Sequence, residues 1–374
     1  MGVRTAAAVT AASVIGAGAA MVAAGRYAGD AALKVPPDQP LPGEPRIAVH
    51  EADAATVTLT RTPAALRPGT YGLAGRGLRA VVGPVVPDVS HPHDCVVRHL
   101  ERVTRGAPRP GDHVWLTPQV HSGDPEEALG LSYAEVTVAG ETGELPAWFL
   151  SGDRDTWVIA AHGLGTTREH AMVLMPFLRR MRFPVLAPAH RGDPGAPPAP
   201  HGIGHFGATE WRDLDAAVRH AVRHGARRVV LHGWSTGATM ALLTAVNSPL
   251  ADRVSGLVLD SPLLDWQCAL RALAHRRAPA ALMPFAVRAT EGRTGLSPDG
   301  SLAAGAVQRL EIPVLIAHGT DDPVAPLALS RDFAERRPDL ITLRPVRGAG
   351  HAGAWNANPA AYEEGLRRFL TPLM

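Results

Sequence analysis

The chain has 374 residues, 46% of them hydrophobic and 19% charged, enough to bury a large core and too apolar for a disordered protein. Its net charge of +2 is spread without a long basic run, which removes the electrostatic footprint of a nucleic-acid-binding protein. Cys95 and Cys268 stand far apart, outside any metal-ligand or Cys-x-x-Cys spacing, and read as two free thiols.

Thr5–Gly25 carries no charge and follows Arg4. As a helix it would be about 30 Å long, which suits a single membrane anchor, while the small residues near Gly18 and Val22 also suit a secretory signal. Residues 1–34 are therefore expected to attach the protein to a membrane, or to be cleaved from a secreted one. A proline-rich stretch from Lys34 to Arg46 reads as a linker. Between Ile47 and Val86, alternating segments such as Thr56-Val-Thr-Leu-Thr predict short antiparallel strands, and Cys95–Thr104 reads as a helix. Residues 35–130 thus form a linker and a small β-rich region with no recognisable chemistry. His91, His93 and His113 lack the companions of a metal site and read as surface-loop histidines.

From about Leu131 to the C-terminus the pattern changes. Ala134–Val138 and Leu145–Leu150 look like a leading hairpin. Continuous apolar runs then alternate with helix-forming stretches: Trp157–Ala161, Pro184–Pro188, Val229–Leu231, Val254–Leu259, Pro313–Ala317 and Ile341–Val346, closing on a helix at Pro359–Leu370. Unbroken apolar strands separated by helices predict an α/β domain, a mostly parallel sheet with helices on both faces.

In such sheets reactive groups collect at the carboxyl ends of the strands. The sharpest is Gly233-Trp-Ser-Thr-Gly, set between an apolar strand and a helix, so that Ser235 falls at the apex of a tight turn as a nucleophile elbow. His162-Gly-Leu-Gly follows the first apolar strand and offers the backbone N–H of Leu164, with that of Thr236, as an oxyanion hole. His162 itself comes too early in the chain to be the base. His318-Gly-Thr-Asp-Asp-Pro-Val offers Asp321 and Asp322; Asp322 is preferred because Pro323 fixes the turn behind it, and Asp260 is the alternate acid. Gly348-Ala-Gly-His places His351 on an uncrowded loop after the last strand, as a proton shuttle requires.

The order Ser235, Asp322, His351 on successive strand ends resembles that of the α/β-hydrolase fold, in the bacterial serine-hydrolase group of esterases, lipases and prolyl-oligopeptidase-like and aminopeptidase-like enzymes. The resemblance covers residues 131–374 and implies Ser235 as nucleophile, His351 as base and Asp322 as the acid that orients it. The His-Gly-Gly-Gly motif of one large lipase and esterase group is missing. Residues 263–305 fall where such enzymes insert a cap. The implied activity is hydrolysis of a carboxylic ester through an acyl-enzyme, on a small-molecule ester or acyl substrate, with no metal or organic cofactor. The alternatives are a serine peptidase with the same triad and a non-catalytic binding protein on a hydrolase fold.

Overall fold

A computed structural model describes residues 23–374 apart from residues 28, 31–32, 35, 37–38, 43, 45, 88–91, 276–278 and 304. The expected anchor over Thr5–Gly25 lies outside the described residues except for its last three. Among the described residues no helix is long and apolar enough to cross a membrane. Residues 23–27 are helical, and Gly25 is buried so closely against helix Met283–Thr294 that an added Cβ would stand 2.7 Å from Phe285 Cβ. Asp30 pairs with Arg293 of the same helix.

The β-rich region is a closed antiparallel barrel of β1 (Ile47–Ala52), β2 (Thr56–Thr60), β3 (Tyr71–Gly75), β4 (Leu78–Val85), β5 (Cys95–Arg105) and β6 (His113–Thr117), in the order β1-β2-β5-β4-β3-β6. The segment expected to be a helix at Cys95–Thr104 is therefore strand β5. Val96, Arg98 and Leu100 all turn to the buried side, a period of two that a helix cannot produce. Its partners on both edges, β2 and β4, supply the ladder hydrogen bonds that override a weak local helical preference.

Arg98 is the exception within the barrel interior. Its guanidinium, fully buried, donates to the carbonyls of Gly83 (2.9 Å), Ala65 (3.0 Å), Arg67 (2.7 Å) and Gly69 (2.6 Å). Four carbonyls of connecting chain, which a barrel end would otherwise leave unpaired, are gathered by one side chain. Burial lowers its pKa to about 10, still high enough to keep the charge at neutral pH.

The second unit is an eight-stranded sheet in the order β14-β13-β12-β11-β9-β10-β8-β7. It comprises β7 (Ala134–Ala139), β8 (Glu144–Leu150), β9 (Thr156–Ala161), β10 (Val185–Pro188), β11 (Arg228–Trp234), β12 (Val254–Asp260), β13 (Val314–Gly319) and β14 (Ile341–Val346). The strands from β9 onward are parallel, and β8 joins β10 antiparallel with β7 as an antiparallel edge. One face buries helices Trp211–Arg223 and Thr236–Asn247; the other buries Phe177 and Leu178 of Met175–Arg180 with Leu366 and Leu370 of Pro359–Leu370. Both faces being covered is what makes the inner strands apolar throughout rather than alternating. Between β12 and β13 the chain leaves the sheet and forms helices Trp266–Ala274 and Met283–Thr294. Cys95 and Cys268 are free thiols.

The two units are bound by polar contacts. Asn356, buried just after β14, donates from Nδ2 to the carbonyls of Thr70 (2.9 Å) and Pro118 (3.0 Å), while the Thr70 N–H donates to the Asn356 carbonyl at 3.0 Å. The barrel loop held by Arg98 is the same loop that meets Asn356. Arg98→Leu is expected to lower the unfolding free energy by about 3 kcal/mol or more by stranding those carbonyls, read as a shift of the urea midpoint.

Candidate active site

Ser235 stands between β11 and helix Thr236–Asn247 with φ 55° and ψ −119°. The conformation is forced by close packing. A Cβ on Gly233 would come 2.2 Å from the Gly237 carbonyl oxygen, and one on Gly237 would come 2.1 Å from that of Ala161, so strand and helix cross at a distance only glycine permits.

The structure brings the predicted partners to this serine. His351 Nε2 lies 2.7 Å from Ser235 Oγ, and His351 Nδ1 lies 2.8 Å from Asp322 Oδ2. The other oxygen of Asp322 accepts from the N–H groups of Val324 and Ala325, each at 2.8 Å. Burial opposes ionisation of Asp322, yet the His351 charge and the hydrogen bonds from His318 and His351 outweigh it and hold the carboxyl far below the usual range. His318, fully buried, pairs with Ser330 Oγ (2.8 Å) and the Ala325 carbonyl (3.0 Å) and so fixes the turn that carries Asp322. Asp321 turns outward and accepts from its neighbour Thr320 at 2.8 Å.

Asp260, the alternate acid, does not reach His351. It accepts from Ser261 Oγ at 3.1 Å, and that same oxygen accepts from the Ala352 N–H at 3.1 Å, so Ser261 links Asp260 to the histidine loop. Burial raises its pKa to about 7.

The backbone N–H groups of Leu164 and Thr236 make no backbone hydrogen bond among the described residues, which leaves both donors available for an anion. The loop bearing Leu164 is pinned from behind. His162 is buried, its Nε2 2.7 Å from Asp193 Oδ2; burial works against protonation of the ring, but Asp193 prevails and raises the pKa. His162, His190 and Asp193 have ligand atoms within 4.8 Å of one another. The carboxylate already serves His162 and the His190 N–H, the latter at 2.8 Å, so it is engaged as a hydrogen-bond acceptor.

Two cavities flank this centre. One, of about 320 Å³, contains His351 and is walled by Leu164, Val324, Pro63, Arg67, Trp115 and Glu44. The other, of about 330 Å³, is walled by Gly163, Leu164, Phe206, Thr236, Met240 and Leu33. Arg67, Trp115 and Glu44 correct the expectation that residues before 131 carry no chemistry: linker and barrel form part of the cavity wall. No local sequence signal marks them, since a Pro-rich stretch and a lone arginine have no motif.

A family model described as serine aminopeptidase, S33, matches residues 152–294, and one described as a domain of unknown function matches residues 48–117. An uncharacterised Bacillus subtilis (strain 168) protein, YqkD, is 24% identical over 223 residues, covering 58% of this chain and 72% of its own. Crystal forms of the Pyrococcus furiosus esterase Pf2001 superpose on 67% of the chain. One covers 94% of the esterase at 22% identity with a TM-score of 0.56, another 96% at 21% with a TM-score of 0.54. The chain has the α/β-hydrolase fold and, over residues 152–294, resembles the serine hydrolases built on it.

The pKa of Asp260 has a consequence for stability. A carboxyl of ordinary pKa near 4 when unfolded and about 7 when folded holds its proton more tightly in the native state, so its contribution to stability is full below pH 4 and lost as pH rises to about 7. Asp260→Asn, neutral in both states, is expected to flatten the fall in Tm between pH 4 and 7 while keeping turnover within about tenfold of wild type. An unchanged Tm profile in the variant would refute this assignment.

Proposed function

We propose that the protein hydrolyses carboxylic esters through a covalent acyl-enzyme, with Ser235 as nucleophile, His351 as general base and then acid, and Asp322 as the carboxylate that orients the ring. The observation that carries this reading is the unbroken chain from Asp322 Oδ2 through both His351 nitrogens to Ser235 Oγ, with contacts of 2.8 and 2.7 Å. His351 takes the hydroxyl proton as Ser235 attacks the ester carbonyl. The oxygen that becomes negative is received by the N–H groups of Leu164 and Thr236. His351 then returns the proton to the departing alcohol, and a water, activated by the same imidazole, releases the acid. No step needs a metal or organic cofactor. Residues 263–305 act as a cap and reach the first cavity through Ala272 and His275.

A peptidase reading rests on the description of the matching family model and uses the same groups on an amide. A non-catalytic binding protein is disfavoured because such a protein has no use for a serine in a strained backbone hydrogen-bonded to a carboxylate-held imidazole. Attachment to a membrane through residues 5–25, or export after cleavage there, is part of the proposal and rests on the uncharged stretch alone.

Ser235→Ala is expected to reduce hydrolysis of p-nitrophenyl esters by about 10⁴-fold or more and to abolish fluorophosphonate labelling, with an unchanged circular dichroism spectrum. Asp322→Asn is expected to lose about 10⁴-fold in kcat, whereas Asp321→Asn keeps most of it. Near-wild-type turnover in folded Ser235→Ala protein would overturn the mechanism, and faster cleavage of peptide anilides than of every ester would move the reading to peptidase. For the anchor, full-length protein is expected to stay with membranes through carbonate extraction; a native N-terminus found just after Ala20 or Ala24 would establish cleavage instead.

A further inference from the structure

The departing alcohol takes its proton from His351, so it must leave on the His351 side of Ser235. The cavity of about 320 Å³ is that side, because His351 is part of its wall; the second cavity contains the oxyanion donors and not His351. The leaving-group chamber is therefore closed by the barrel, through Pro63, Arg67 and Trp115, and by the stretch ahead of it, through Leu41 and Glu44.

Most of this wall is apolar; the charged groups that the barrel and the stretch ahead of it bring to it are Arg67 and Glu44, beside the neutral polar Gln39 and Thr117. Arg67 Nη1 stands 3.7 Å from Glu44 Oε1, beyond hydrogen-bond range, and each side chain keeps 16% exposure. The two groups attract one another, a backbone hydrogen bond from Leu41 also reaches the Glu44 carboxyl, and both side chains line the cavity. Burial raises the pKa of Glu44 above its ordinary value, outweighing the opposing effects of Arg67 and of the backbone hydrogen bond from Leu41.

The pair is held in place relative to the catalytic histidine. A Cβ on Gly350 would come 2.5 Å from Arg67 Cζ, so the guanidinium lies against the backbone immediately before His351. Arg98 clamps the Arg67 carbonyl at 2.7 Å, and Asn356 ties Thr70 to the same histidine loop.

Charge balance selects the ligand. Arg67 and Glu44 offset one another as a pair and so present neither an anion nor a cation with a field of one sign, while the further carboxylate of the wall, Asp321, is exposed and screened by solvent. A hydroxyl both donates and accepts, and satisfies the carboxylate and the guanidinium together. We propose that Arg67 and Glu44 form a hydroxyl-recognising subsite for the leaving group, so that the preferred substrates are esters of neutral polyhydroxy alcohols. The inference rests on the ester-hydrolase reading and assigns a role to a barrel that otherwise has none.

The test is a set of butyrate esters with one acyl group and four alcohols: 1-propanol, glycerol, choline and glycolate. The ratio of kcat/KM for the glyceryl ester over the propyl ester is measured in wild type and in the Arg67→Met/Glu44→Leu double variant, whose own ratio reports the intrinsic reactivity of the two esters. Fluorophosphonate labelling of Ser235 checks that the variant is folded. The wild-type ratio is expected to exceed the variant's by about ten- to hundredfold, the loss of hydrogen bonds to charged partners, and Arg67→Lys is expected to keep part of it. Equal ratios in wild type and double variant, or a wild-type preference for the choline or glycolate ester, would overturn the subsite and leave the ester-hydrolase reading standing. Failure to turn over any of the four esters, with labelling intact, would overturn that reading and this inference with it.

Discussion

The close crossing of β11 and the helix that follows it sets the geometry of everything else at the site. Ser235 is held at φ 55° and ψ −119°, a conformation costing about 1–3 kcal/mol for a residue with a side chain. The local chain does not relax it, because β11 is fixed between β9 and β12, and the helix is fixed by its buried face on the sheet. The strain is thus carried by burial of the surrounding apolar surface. The same turn starts a helix at Thr236, whose N–H makes no backbone hydrogen bond among the described residues, so the candidate nucleophile and the candidate anion donor are products of one backbone turn.

Two buried carboxyls close to the histidine loop are driven in opposite directions. Asp322 receives two backbone N–H groups and faces both His318 and His351, and these outweigh its desolvation. Asp260 receives one hydroxyl at the end of an apolar strand, and desolvation prevails, with a pKa of about 7. The difference is a matter of donors rather than of depth, since both side chains are almost wholly buried. An ionised carboxylate can hold an imidazolium; one that keeps its proton up to about pH 7 is the poorer partner for it and holds the loop through Ser261 instead. This separation lets the two acids sit near one imidazole without competing for it.

The sheet and the triad candidates were readable in the sequence because both are local. Apolar runs at Trp157–Ala161 and Pro313–Ala317 are strands whatever their partners, and Ser235, Asp322 and His351 each follow such a run within a few residues. The choice of Asp322 over Asp260 was weaker, resting on a proline, whereas the geometry rests on hydrogen bonds between residues far apart in the chain. The strand at Cys95–Arg105 was misread because Arg98 and Arg102 interrupt its apolar alternation. Arg98 looks like a solvent-facing charge until the carbonyls of Ala65, Arg67 and Gly69 are seen around it. Glu44 and Arg67 were unreadable for the same reason: their significance comes from Gly350 and His351, nearly the whole chain away.

The barrel and the hydrolase unit are joined by buried hydrogen bonds as well as by apolar packing of Val81 and Val120. Gln119, just past the barrel, accepts from the Thr167 N–H at 3.1 Å and donates to Glu169, so it fixes the far end of the loop that carries Leu164. Asn356 holds the histidine loop to Thr70 and Pro118 on the other side. A buried amide deprived of its partner costs about 1–3 kcal/mol, more than a surface contact of similar area would. The loops that carry Leu164 and His351 are therefore both tethered to the barrel side, through the adjacent residues Gln119 and Pro118. Displacing the barrel would open the cavity and also release both loops, the ones to which the proposed mechanism assigns an oxyanion donor and the base. A domain whose contacts converge on those two loops is a structural part of the candidate site, because it fixes where both loops stand.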